Sequence, residues 1–138
     1  MTESKITSGN RNLITDIGGI QVGNSENMEL MTGVTYIKLS KKFKASLEVI
    51  GGAPASREIE LLRPENTVEF IDGIVLSGGS VYGLAAASEI VDILHIEQRG
   101  YKIRNSNISI PIVPCAAIYD LSEEISQNIS SKIYTKLA

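Results

Sequence analysis

The chain has 138 residues, 43% of them apolar and 21% charged, with a formal net charge of −3. This profile fits one soluble domain with one modest core. It excludes a disordered chain, a strongly basic nucleic-acid binder and a membrane-spanning one, because no apolar run approaches the ~20 residues a bilayer needs. The single cysteine, Cys115, and the single histidine, His95, exclude an internal disulfide, a CxxC zinc pattern and a multi-histidine metal site. Cys115 lies in an apolar run and reads as a small buried hydrophobe.

The first residues, MTESKITSGNRN, are polar without a signal-peptide core, so a cytoplasmic protein is expected, with residues 1–11 a mobile lead-in. Residues 12–22, NLITDIGGIQV, read as strand, Gly18-Gly19 turn and strand. Residues 31–39 alternate in part and are rich in β-branched side chains, which predicts a strand; residues 45–50 are another candidate. The cationic cluster Lys41-Lys42-Phe43-Lys44 reads as a solvated loop or edge. Gly51, Gly52 and Pro54 make a constrained turn, and residues 56–60 suit a short helical segment ending before Pro64. Residues 68–76, VEFIDGIVL, are apolar and β-prone, with a buried strand over 73–77.

After the glycine turn, SVYGLAAASEIVDIL has helical period and a small-residue face, with Gly100 as a natural stop. Residues 108–121, ISIPIVPCAAIYDL, return to strand character, and Pro111 and Pro114 place part of them on an edge or in a turn. The last stretch, 122–138, is polar with scattered isoleucines and suits a weak amphipathic helix. Several strands before one clear helix and one strand after it predict an α/β or α+β domain.

The turn itself, LSGGSVYG at 76–83, admits four readings. A dinucleotide fingerprint fails, since Ser80 stands where the second glycine should be, and no lysine completes a Walker loop. A serine elbow fails because Tyr82 replaces the closing glycine of GxSxG and His95 comes too early. Ser80 can instead cap the helix while the glycines permit close packing. Finally, the Tyr82 hydroxyl, together with backbone N–H groups, would suit an oxyanion.

GGAPASREIELLRPENTVEFIDGIVLSGGSVYGLAAASEIVDIL followed by IPIVPCAAIYDL resembles the β-aminopeptidase family, which includes L-aminopeptidase/D-Ala-esterase/amidases and 6-aminohexanoate-oligomer hydrolases. NLITDIGGIQVGN and GVTYI fit the same pattern, so the resemblance covers about residues 12–121. It implies an N-terminal-nucleophile-hydrolase-like α/β/β/α sandwich, present only in part. It also implies a precursor that cuts itself before a serine or threonine, which then carries both nucleophile and base. An α-amine of pKa ~8 can take the hydroxyl proton near neutral pH, so no histidine, metal or cofactor is required. On this resemblance Tyr82 is the catalytic residue that stabilises the tetrahedral intermediate, and Gly78, Gly79, Ser80, Arg57 and Glu58 are candidate substrate-binding residues. For Arg57 and Glu58 a structural ion pair is the stronger expectation, with a pocket rim as the other.

The chain departs from the family at Val22-Gly23-Asn24, where VGH is common, and at residues 53–59, APASREI in place of APGTRET. The family's nucleophile segment lies beyond the YDL strand and has no counterpart here. The expected partners are therefore a nucleophile-bearing C-terminal segment, a small peptide or amide substrate and further copies of the chain, with neither nucleic acid nor membrane. The change of texture after Leu121 makes 122–138 a divergent tail on a truncated frame or natural α-type half, inactive alone. The alternative is a non-catalytic remnant or small-molecule-binding module.

Overall fold

The computed structural model describes residues 7–122 and 128–138. The expected lead-in lies outside the described residues over 1–6, and the expected tail over 123–127. The elements are β1 (Ile20–Asn27), β2 (Thr32–Lys44), β3 (Ala55–Arg57), β4 (Phe70–Ser77), α1 (Ala86–Ile96), β5 (Tyr101–Lys102), β6 (Ser109–Ile110), β7 (Cys115–Ala117) and α2 (Ser131–Leu137). The fold is mixed α+β. A five-stranded sheet has the order β1-β2-β4-β7-β3, and β5 and β6 form a separate pair. Only β4 and β7 run parallel, joined through α1; the other neighbours in the sheet are antiparallel.

Register divides the sheet into two faces. Val34, Val75 and Cys115 align on one face and pack with Ala86, Ala87, Ile90, Leu94 and Tyr134 of the two helices. The small residues of α1 let it approach the sheet closely. Ile37, Ile74, Leu76 and Ala116 face the other way. A second cluster, Leu39, Leu62, Ile71 and Ile112, closes the lower end of the sheet. Above it Leu76 remains 45% exposed, and Ile118, just beyond β7, 68%.

Several expectations are corrected. Residues 12–17 hold no strand but a 3-10 turn, Ile14–Asp16, because the Asp16 carboxylate accepts the N–H groups of Arg11 (2.9 Å) and Leu13 (3.3 Å). Such local bonds compete with a ladder. The following turn and strand are present, with Gly19 at φ +99°. β2 is longer than predicted and shifts register between Lys38 and Phe43. Residues 45–50 form neither strand nor helix. Residues 55–57 pair with β7 as a strand, and the helical character appears later as a 3-10 turn, Glu60–Leu62.

The strand over 73–77 begins earlier, at Phe70, and alternates in burial. The prolines do not put their segment on a plain edge. Ile112 and Pro114 offer carbonyls to Asp72 and Val75 of β4 at 2.9 and 3.0 Å, contacts that need no proline N–H. The amphipathic helix expected in the tail is α2. Its Tyr134 is fully buried and Ile129, Ile133 and Leu137 pack around it, so this polar stretch belongs to the main core.

Candidate functional site: a glycine turn closed on an internal carboxylate

β4 ends at Ser77, and Gly78 and Gly79 redirect the chain into a 3-10 turn, Ser80–Ala85, that runs on into α1. Gly79 has φ +78° and Ser80 φ +53°. The first is natural for glycine; the second costs a residue with a Cβ about 1–2 kcal/mol and must be held by its surroundings. The holding bonds are specific. Gly78 N–H donates to Gly33 O at 2.9 Å, Gly79 N–H to Asp120 Oδ1 at 2.6 Å, and Ser80 N–H to Ile118 O at 2.9 Å. Asp120 Oδ2 accepts the Thr32 hydroxyl at 2.7 Å, and the Tyr134 hydroxyl lies 3.4 Å from Thr32 Oγ1. Burial pushes the Tyr134 phenol above its ordinary pKa, while the Thr32 contact pulls it back.

The turn therefore does cradle an anion, and the anion is the chain's own Asp120. The N–H groups of Gly78, Gly79 and Ser80 are therefore not open to a phosphate or an oxyanion. The cap reading is corrected too, since no side-chain bond caps this turn or α1. The packing half of that reading stands. A Cβ on Gly78 would overlap the Asp120 carboxylate and Thr32, one on Gly79 the Tyr134 ring, and one on Gly83 the Gly78 carbonyl. Gly78 and Gly79 are buried, Ser80 half-buried. Tyr82, 38% exposed, stands on the outer side of the turn, its N–H bonded to Gly79 O at 3.0 Å.

The other candidates separate. Arg57 lies on the helix-covered face and donates to Ser88 Oγ at 2.5 Å, tying β3 to α1. It forms no ion pair with Glu58 among the described residues, and Glu58 sits exposed in a left-handed conformation at φ +56°. The expected ion pair is thus replaced by a bond to serine. His95 bonds through Nδ1 to Ser109 O at 2.9 Å, a structural contact at the end of α1. Cys115 is buried, and burial pushes its thiol up to about 11, with Arg57 opposing. On the sheet face away from α1, a cleft of ≈ 400 Å³ is lined by Leu47, Val49, Ile59, Ile74, Ser56 and Ala116 among others. No group of three or more His, Cys, Asp or Glu converges among the described residues.

Sequence reasoning missed Thr32, Asp120 and Tyr134. Asp120 was visible only as part of the YDL end of a strand, with nothing local to tie it to a turn about forty residues earlier.

A one-sided sheet with α1 and α2 on its covered face, and a glycine turn displaying a tyrosine, is one layer pair of the sandwich that the motifs implied. The profile described as Peptidase family S58 matches residues 12–132, and the chain belongs to that family, the β-aminopeptidase group. Relatives named as uncharacterized aminopeptidases in Mycobacterium bovis and Mycobacterium tuberculosis are 40% identical over 118 residues, covering 80% of this chain and 34% of theirs. One in Mycobacterium leprae is 40% identical over 119 residues, covering 80% of this chain and 32% of its own. The chain thus spans about a third of the length of these relatives. The matching family is a peptidase family, and the relatives are named as aminopeptidases.

Proposed function

We propose that this chain is the α-type part of a self-processing aminopeptidase or amidase that hydrolyses amide bonds of small peptides or amino-acid amides. The nucleophile, an N-terminal serine or threonine, belongs to a segment matching the part of the relatives that this chain does not span. On this reading its hydroxyl attacks the amide carbon and its own α-amine, of pKa ~8, takes the proton. Tyr82 donates its hydroxyl to the developing oxyanion. The observation that carries the reading is the exposed Tyr82 on a turn whose Gly78, Gly79 and Ser80 N–H groups are taken from below by Gly33, Asp120 and Ile118. These bonds hold the backbone as a mount, and the phenol is the group proposed to meet a substrate.

The exposed apolar sheet face supports a covering segment, because an unpaired sheet face with Leu76 and Ile118 outward favours burial. No helix among the described residues is long and apolar enough to cross a membrane. By itself the chain would not turn over substrate.

The test is reconstitution. Mixing the chain with a separately expressed nucleophile segment should restore hydrolysis of an amino-acid p-nitroanilide. In the restored enzyme Tyr82→Phe should lower kcat by about 10²-fold with little change in KM, the size seen for loss of one oxyanion donor. Unchanged rates would remove that role from Tyr82. A chain that ignores the segment and melts cooperatively as a monomer would support a free-standing binding module instead.

A further inference from the structure

A second concavity, of ≈ 590 Å³, lies at the opposite end of the sheet from the glycine turn. β4 spans the distance between them, because Phe70 lines the cleft and Ser77 leads into the turn. At the usual strand rise that is roughly 20 Å. Three stretches of chain build its walls: residues 40–42 at the register shift of β2, residues 67–72 entering β4, and residues 98–102 after α1.

Lys41, Lys42, Arg99 and Lys102 bring four cations to this cleft, against Glu69 and Asp72. Glu69 is offset by an ion pair, whereas Asp72 takes part only in a neutral hydrogen bond, so cations outnumber acids in the lining by four to two. Glu69 pairs with Lys44 at 3.1 Å, and Asp72 accepts the Ile112 N–H at 2.9 Å. Arg99 donates to the Leu39 carbonyl and lies 3.9 Å from Glu97. Lys102 Nζ donates to Gln98 O at 2.8 Å, which orients it and leaves two of its protons unused. Lys41 and Lys42 have no carboxylate within ion-pair distance among the described residues. Their ammonium groups lie 5.4 and 5.3 Å from the ring centres of Phe43 and Phe70. Phe70 lines the cleft, so its contact keeps the Lys42 side chain near the site and less freedom is lost when an anion arrives; Phe43 lies outside the lining. A chain of net charge −3 thus concentrates positive charge in one concave place.

We propose that this cleft, where Lys41 and Lys42 from β2 meet Arg99 from the turn after α1 and Lys102 of β5, is an anion site that takes a compact polyphosphate. Lysine ammonium groups recognise phosphate oxygens as point charges, without demanding one fixed planar geometry. Several charges on the ligand are needed, because a single exposed ion pair is worth little in salt. The volume lies within the range of small-ligand pockets. Tyr101, half-exposed in the lining, offers a ring face to a nucleobase, so the polyphosphate can be inorganic or carried by a nucleotide. The site is remote from Tyr82 and independent of the proposed amide chemistry.

The test is titration of the whole chain with tripolyphosphate and with ATP at low ionic strength, by calorimetry and by amide NMR shifts. Saturable 1:1 binding that weakens with salt is expected, with shifts at residues 67–70 and 98–102 and none at 78–83. The double variant Lys41→Gln/Lys42→Gln should weaken binding about tenfold or more, as charge-assisted contacts are lost. Lys132→Gln, one charge removed on α2, should leave it within about twofold. Equal affinity for the two ligands assigns an inorganic polyphosphate. Tighter ATP binding that Tyr101→Ala removes assigns a nucleotide. Absence of saturable binding, shifts centred on 78–83, or equal weakening by Lys132→Gln would overturn the site. These lysines are exposed, and the shift map on the native chain decides the location even if a variant misfolds.

Discussion

Asp120 is the residue on which the turn depends. It accepts from a backbone N–H and from a hydroxyl, each at under 2.8 Å, and those donors belong to different elements. Hydrogen bonds to an ionised group are worth about 1.5–3 kcal/mol, so Asp120→Ala should destabilise by at least that much in chemical denaturation. Asp120→Asn keeps an acceptor for one donor and should lose less. Tyr134 separates packing from polarity. Its hydroxyl contact with Thr32 is long, 3.4 Å, so Tyr134→Phe should cost less than about 1 kcal/mol. Tyr134→Ala empties a fully buried site and should cost about 3–5 kcal/mol. A result in which both variants were equally mild would show α2 to be loosely docked. Cys115 was legible from its apolar neighbours. Asp120 was not, because an Asp after a strand is equally at home in a loop.

At the scale of elements, the glycines divide by what lies beside them. Gly83 sits against the Gly78 carbonyl, and backbone cannot move aside as a side chain can. Gly83→Ala should therefore abolish the cooperative melt. Gly52 has open space where a Cβ would go and no positive φ, so Gly52→Ala should be neutral or stabilise by about 0.4–1 kcal/mol through the unfolded chain. Thermal melts of the pair check the contrast. The same logic shows which elements could be read beforehand. β4 and α1 carry dense periodic apolar signals and are present with shifted ends. Residues 12–17 and 55–57 went the other way. In the first, a side-chain carboxylate captured the backbone; in the second, a partner strand about sixty residues later supplied the ladder.

For the whole molecule, two consequences follow from what is buried and what is not. Burial holds the Cys115 thiol protonated up to about 11 and the Tyr36 phenol up to about 12, the latter eased by Arg99. The unfolded chain releases these protons at the ordinary thiol and phenol values of 9.0 and 10.0. Their share of stability is thus complete below pH ~9 and declines as pH rises toward 11–12, where the folded groups also ionise. Denaturant midpoints measured from pH 7 to 11 should fall above 9; a flat profile would mean that neither group is buried in solution. The open sheet face is the second consequence. Leu76→Asp should reduce self-association of the isolated chain, read by sedimentation. It should also weaken docking of a nucleophile segment if that segment covers the same face.

The amino-acid sequence by itself determined the family, the α+β class, the strand that feeds the turn, the helix that leaves it, and the need for glycine between them. Those are local or periodic properties, and backbone sterics and apolar spacing express them directly. Only the tertiary structure decided what the turn holds. The N–H groups of Gly78, Gly79 and Ser80 could have met a ligand until Gly33, Asp120 and Ile118 arrived from distant parts of the chain to accept them, with Thr32 holding the Asp120 carboxylate. It likewise decided that Lys41 and Lys42 of β2 share a cleft with Arg99 and Lys102. Both are long-range pairings of polar groups, which carry no period along the chain and depend on which surfaces the apolar core brings together.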